Sequence, residues 1–285
     1  MMTAPRRRVV SALLAAPLFI LAACGVSTAD DFPPRVGETL TGPIPGSDNG
    51  SVDADPQQVR EGLEQDAWWS PALFVDCTAT TNAGCAGDAV EGVYNAIPAG
   101  LTTRPWQLCA AVPHLNDPYW VAVNYGMVEE ARRLGVNLDF FEAGGYTELS
   151  KQLSQIDDCV AMGADAVIIG AISFEGLDAR VEQLKQDGVV VIDALNGIAS
   201  DEVNGRAVLS WRELGSVVGR YLAAREGGEN VAWLPGPPGA GWAEDSNVGF
   251  TEAVAGSRVA VAETKYGETD KNVQLRLVED ALQAN

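Results

Sequence analysis

Histidine and methionine are scarce in this chain: one His and four Met stand among 285 residues. A histidine base working on a serine or cysteine nucleophile has only His114 available, and no GxSxG elbow accompanies it. No CxxC pair and no GK[ST] loop occurs, which argues against a cysteine-held metal and a nucleotide-phosphate cradle. Positive charge is also short. Nineteen Lys and Arg face 39 Asp and Glu, a formal net charge of −20 with a sequence pI near 4.3. The mean field of such a chain repels phosphate, so nucleic acid is excluded as a partner. What is plentiful is apolar: 47% of residues, enough to build a core.

The amino terminus reads as a targeting segment. Arg6, Arg7 and Arg8 precede a mostly apolar run over 9–21, about signal-peptide length and too short to span a bilayer comfortably. The run ends LAAC at 21–24, which resembles the bacterial lipobox. That resemblance implies cleavage before Cys24 and acylation of its thiol and new amine; the alternative is an ordinary signal peptide with a chance cysteine. Residues 24–67 are rich in Gly, Pro, Ser, Asp and Thr with few periodic apolar positions, the composition of a flexible tether.

Residues 68–106 read as irregular. From 107 onward, short apolar runs alternate with helical stripes. Runs at 108–112, 136–141, 166–169 and 189–192 predict strands. Val123, Met127, Ala131 and Leu134 fall on one helical face, as do Leu149, Leu153, Ile156 and Val160. Thr147 is the expected N-cap of the second helix, and Leu177, Val181 and Leu184 mark a third. Such units in series predict a parallel sheet with helices on both faces. A second α/β block follows: a helix over 211–225 with Leu214, Val218, Tyr221 and Leu222 inward, a strand over 230–234, a Pro/Gly loop carrying Trp242, a helix over 246–254, a strand over 259–266 and a helix over 270–282. The division expected is 68–200 for a first lobe with an irregular extension and 201–285 for a second. Ligands of open α/β sheets sit at the carboxyl ends of strands, so function belongs to the loops there.

Those loops carry a resemblance. PHLNDPYW at 113–120, VNYGMV at 123–128, EAGGY at 142–146, GADAVIIG at 163–170 and the Ser210–Trp211 turn together resemble type I periplasmic binding proteins, in particular members that sense trimethylamine N-oxide. The resemblance covers about 106–282. It implies two Rossmann-like parallel-sheet lobes joined by a hinge and closing on a small molecule, with no chemistry and no cofactor. It also implies that the chain is C-terminally truncated, lacking strands of the second lobe and the return to the first. The partner implied is the periplasmic domain of a membrane sensor histidine kinase. The alternative is the permease of an ABC importer, with a sugar or other small polar solute as ligand.

The expected site is an aromatic cage. A methylated ammonium or N-oxide head carries diffuse positive charge, which ring faces attract by about 0.5–2 kcal/mol per contact. Tyr119 and Trp120 follow the first strand, Tyr146 the second, and Trp211 opens the second block. The resemblance matches these positions to ligand-contacting aromatics. Asp117 would meet the nitrogen or, protonated, donate to an N-oxide oxygen. His114 and Trp242 are further candidates for touching ligand or partner. The opposing view is that Trp and Tyr at helix starts are core or staple residues, and that His114 is a hydrogen-bonded loop residue. With Cys24 lipidated, Cys77, Cys85, Cys109 and Cys159 remain, an even number that fits two bridges. Cys77 and Cys85 suit a local one; for Cys109 and Cys159 a bridge and two buried thiols stay open. No metal site is expected.

Overall fold

A computed structural model describes residues 68–75, 80–81, 84–85, 89–226 and 228–284. The leader, Cys24, the tether and the expected Cys77–Cys85 bridge lie outside the described residues.

The stretch expected to be irregular contains a hairpin. Strands β1 (Trp69–Val75) and β4 (Ala89–Asn95) pair antiparallel, Ala72 opposite Gly92. Between them lies a minor pair, β2 (Thr80–Thr81) and β3 (Gly84–Cys85). Pro71 interrupts the apolar alternation and the long connection separates the two halves, so the strand pattern was hard to see. Trp68 stacks on Tyr94 at 5.7 Å and its indole N–H donates to Glu130 at 2.8 Å, tying the hairpin to the first long helix.

The main body is a five-stranded parallel sheet. Its members are β5 (Gln107–Val112), β6 (Asn137–Glu142), β7 (Ala166–Ile169), β8 (Val190–Leu195) and β9 (Gly205–Val208), in the order β6-β5-β7-β8-β9. Helix α1 (Pro118–Leu134) leads from β5 to β6, α2 (Leu149–Ala161) from β6 to β7, and α3 (Asp178–Gln186) from β7 to β8. Right-handed crossovers place α1 on one face and α2 and α3 on the other. The core follows this division. Cys109, Ala111, Val167, Ile169 and Val191 of the sheet pack on Ile156 and Cys159 of α2 and on Val181 and Leu184 of α3. Leu108, Leu138 and Ile168 point the other way, toward Met127, Ala131 and Leu134 of α1.

β9 belongs to this first sheet, so the chain leaves the first block only after Val208, later than the expected division at 200/201. The second block holds α4 (Trp211–Ala223), β10 (Asn230–Trp233), α5 (Gly241–Val254), β11 (Ala260–Thr264) and α6 (Lys271–Ala284), with β10 and β11 parallel. The expected inward face of α4 is corrected here: Leu214, Val218 and Tyr221 are exposed, and Gly215 and Gly219 are buried. The reason is close packing on α5. A Cβ on Gly215 would lie 1.9 Å from the Ser246 carbonyl oxygen, and one on Gly249 would lie 1.9 Å from that of Arg212. The helices meet backbone to backbone, and bulky apolar positions are displaced outward. The second helix of the first block also starts later than expected, with Glu148 rather than Thr147 at its N-cap.

Cys109 of β5 and Cys159 of α2 form a disulfide across a separation of 50 residues, which resolves the alternatives left open for this pair. Closing a loop of that length stabilises the fold by about 4 kcal/mol on chain-entropy grounds. Replacing both with Ala is expected to lower the urea-unfolding free energy by about 3–4 kcal/mol; an unchanged midpoint would show the bridge contributes nothing.

Candidate functional site

The strand order reverses at β5, so the connections after β5 and β7 run to opposite sides, and the carboxyl edge between them is where open α/β sheets take their ligands. Six segments converge there: residues 113–117 after β5, 143–148 after β6, 170–177 after β7, 196–204 after β8, and the 235–242 and 265–270 segments of the second block.

Asp117 is the N-cap of α1. One of its carboxylate oxygens accepts the Trp120 backbone N–H at 2.9 Å, and the other lies 3.8 Å from His114 Nε2. Pro118 at the first helical position completes this start signal. The first turn then directs Tyr119 and Trp120 apart. Tyr119 is 41% exposed, edge-on to Trp120 at 5.7 Å, while Trp120 is only 2% exposed. The Trp120 indole lies on Gly170 at the end of β7, where a Cβ would stand 2.4 Å from the ring. Gly170 therefore admits the ring by having no side chain.

Tyr146 is the meeting point. Its hydroxyl oxygen accepts Asn196 Nδ2 at 3.0 Å and Trp242 Nε1 at 3.1 Å. Its ring meets His114 edge-on at 5.6 Å and Trp242 at 6.0 Å. Burial pushes the phenol up to about 12, against the pull of the donors from Asn196, Trp120 and Trp242. A phenol oxygen has two lone pairs and one hydrogen. With Asn196 and Trp242 on the lone pairs, the Tyr146 hydrogen is the polar function left to offer an acceptor.

Trp211 and Trp242 complete the cluster from the second block, 5.6 Å apart. Trp211 opens α4 and its indole N–H donates to the Leu195 carbonyl at 2.6 Å. Trp242 sits in the first turn of α5 rather than in a loop: that helix begins at Gly241, five residues before the expected start. The Trp242 ring covers Gly236, where a Cβ would lie 2.4 Å away.

His114 is 2% exposed. Its Nδ1 accepts the Asn116 backbone N–H at 3.3 Å, which assigns the ring proton to Nε2, 3.0 Å from Thr269 Oγ1. Thr269 belongs to the second block, as does Glu268, whose carboxylate accepts the Tyr146 backbone N–H at 3.1 Å. With Phe174 N–H to the Gly239 carbonyl at 3.0 Å, the Trp242–Tyr146 bond and the Trp211–Leu195 bond, five hydrogen bonds join the blocks around the cluster.

The structure thus brings His114, Trp120, Tyr146, Trp211 and Trp242 together, keeps Asp117 beside them as a helix cap, and leaves Tyr119 at the rim. Among the described residues no group of three or more His, Cys, Asp or Glu is placed to hold a metal. Sequence reasoning missed Asn196, Glu268 and Thr269. Each follows a strand on the sequence, after β8 or β11, so the strand-end rule reaches them; a lone amide, acid or hydroxyl carried no signal of its own.

Tyr146→Phe removes the acceptor for two donors and is expected to destabilise the protein by about 1–3 kcal/mol in thermal or urea unfolding. The raised phenol also has a signed consequence. The neutral form is the one stabilised by burial, so its contribution is present below pH 10 and is lost as pH climbs toward 12. Ultraviolet titration should show two tyrosines, Tyr146 and Tyr266, that resist ionisation until about pH 12, of which one is lost in Tyr146→Phe; ionisation of all tyrosines near 10 would contradict the burial.

Comparison with known proteins places the chain in a family. Periplasmic protein TorT of Escherichia coli strain K12 is 40% identical over 184 residues, 63% of this chain and 52% of the relative. The crystal structure of an ABC transporter solute binding protein from Bradyrhizobium sp. BTAi1, with bound Bis-Tris, is 48% identical with a TM-score of 0.54, covering 70% of this chain and 61% of that one. The TorS sensor domain–TorT complex in the presence of TMAO is 34% identical with a TM-score of 0.53, covering 63% and 62%. The chain spans about half the length of the curated TorT that it matches. A family model described as the periplasmic binding protein domain matches residues 110–285, and with the doubly wound sheet and cleft-edge loops the chain belongs to the type I periplasmic binding proteins.

Proposed function

We propose that this chain is the ligand-holding part of a periplasmic receptor for trimethylamine N-oxide or a related methylated amine, read out by the periplasmic domain of a membrane sensor histidine kinase. The observation that carries this reading is the Tyr146 hydroxyl, set among aromatic rings with its oxygen engaged by Asn196 and Trp242. Rings attract a methylated head by its diffuse charge, and a phenol committed to donating suits an N-oxide oxygen, which only accepts. The ligand-contacting side chains in this reading are Tyr146, Trp211 and Trp242, with Tyr119 at the mouth and Trp120 packed behind them on Gly170. Asp117 and His114 act behind them, Asp117 by starting α1 and His114 by linking the blocks through Thr269. The likeness to TorT, and to its complex with a sensor domain, supports a kinase partner.

In the same reading, residues 1–23 are a lipoprotein leader, Cys24 carries the lipid, and residues 24–67 tether the receptor to the membrane without spanning it. Cys24→Ser is expected to move the protein from the membrane fraction to the soluble periplasm; continued membrane retention would remove the anchor from the account.

A second reading is the binding lipoprotein of an ABC importer for a sugar or other small polar solute, favoured by the likeness to the Bradyrhizobium solute binding protein. Calorimetric titration of the full-length protein separates the two. The receptor reading expects saturable heat with trimethylamine N-oxide and none with ribose; heat with ribose alone would replace it by the importer. Trp242→Ala is the sharper site variant, because Trp120 is a buried support whose loss costs about 3–5 kcal/mol of stability. It is expected to weaken N-oxide binding at least tenfold, equivalent to about 1.4 kcal/mol, with the melting temperature of the first lobe retained. An unchanged affinity would take Trp242 out of the site.

A further inference from the structure

Next to the aromatic cluster, on β8 and β9, lies a buried ion pair. Asp193 is fully buried on β8, and Arg206 stands opposite it on β9 at 2% exposure. Asp193 Oδ2 accepts Arg206 Nη1 at 2.5 Å and the Ile198 N–H at 3.0 Å, and Oδ1 accepts the Gly197 N–H at 3.2 Å. Arg206 continues outward, Nη1 donating to the Ile198 carbonyl at 2.6 Å and Nη2 to that of Ser200 at 2.7 Å. Beside the ion pair itself, four hydrogen bonds therefore wrap residues 197–200 around one carboxylate and one guanidinium.

A strained residue stands two positions before the wrapped segment. Leu195 has φ of +72°, the left-handed region that a branched side chain disfavours, and it is the only non-glycine with positive φ among the described residues. That turn does two things at once. It aims the Leu195 carbonyl at the Trp211 indole, and it brings the Asn196 amide under Tyr146, where Nδ2 donates to both the Tyr146 hydroxyl and the Ala171 carbonyl at 2.8 Å. Such strain persists only where the surroundings over-determine it, and the ion pair is what lies on its far side.

We infer that Asp193 and Arg206 are positioning residues of the ligand site: their buried pair holds the left-handed turn at Leu195, which sets Asn196 against Tyr146 and the Leu195 carbonyl against Trp211. The inference rests on the reading of the aromatic cluster as the ligand site. A buried ion pair is a poor device for stability alone, since apolar residues of similar volume often replace one without loss. Its geometry is harder to replace. A planar guanidinium that serves a carboxylate and two carbonyls together fixes the path of the loop, and a lysine in its place keeps the charge but has no fork to span them. Burial pushes the Asp193 carboxyl up to about 6, against the pull of Arg206 and of the Ile198 and Gly197 N–H groups, so the pair is held under a desolvation load that the loop contacts offset.

The test compares Asp193→Asn and Arg206→Lys with Leu184→Ala in the full-length protein. Leu184 is a buried core residue of α3 near the amino ends of the strands, away from the loop, and reports what general destabilisation does. Trimethylamine N-oxide affinity is read by calorimetry and the environment of the tryptophans by near-ultraviolet circular dichroism. Both ion-pair variants are expected to lose at least tenfold in affinity and part of the near-ultraviolet signal, with far-ultraviolet helicity kept, while Leu184→Ala loses melting temperature only. Affinity and near-ultraviolet signal unchanged within about twofold in both variants, or an equal loss in Leu184→Ala, would overturn the positioning role. If Asp193→Asn does not fold, Arg206→Lys alone decides. If the unaltered protein binds no N-oxide, the receptor reading fails by itself, and the near-ultraviolet comparison still decides whether the pair sets the tryptophans.

Discussion

The arrangement at the cleft depends on one oxygen atom, that of the Tyr146 hydroxyl. Asn196 reaches it from β8 and Trp242 from α5, so a strand end of one block and a helix start of the other are satisfied by the same acceptor. Burying an indole N–H or an amide without a partner is costly, and here both are met in one place. The consequence is directional. With its lone pairs occupied, the phenol offers a hydrogen and nothing else, which makes the centre of the cluster a donor surrounded by ring faces. In the proposed receptor reading, that centre meets a small head group with an acceptor oxygen and a soft methylated shell.

The rest of the fold serves to deliver these side chains. Doubly wound topology gathers strand ends at one edge, and two glycines, Gly170 and Gly236, let indoles lie directly on the backbone there. Helix α1 starts at that edge because Asp117 caps it and Pro118 fits its first turn, so the residue that looks most like a counter-ion is occupied in placing Trp120. The disulfide from β5 to α2 and the buried Gln152, whose amide bridges the Ala111 and Gly170 carbonyls and the Ile172 N–H, hold the β5 and β7 ends in register beneath the loops.

The first block was legible in the sequence because its helices obey one periodicity and its strands are short apolar runs. Leu149, Leu153, Ile156 and Val160 do line the core side of α2, and the parallel order follows from alternation alone. The second block was harder. In α4 the buried positions are glycines, which carry no hydrophobic signal, so the stripe of Leu214, Val218 and Tyr221 pointed the wrong way. The start of α5 was hidden by the Gly/Pro loop before it, and with it the helical setting of Trp242. The aromatic members of the cluster announced themselves by type and by place after strands. Asn196, Glu268 and Thr269 did not, since their importance lies in what they face across the cleft. Asp193 left a trace, a lone acid inside an apolar strand run, and Arg206 is the base that answers it.

A crystal structure of the full-length protein with trimethylamine N-oxide tests the central claim most directly. The account predicts the N-oxide oxygen within hydrogen-bond distance of Tyr146 Oη and the methyl groups against the Trp211 and Trp242 rings. A ligand held by charged and amide side chains elsewhere in the cleft, with these rings still packed on one another, would contradict it.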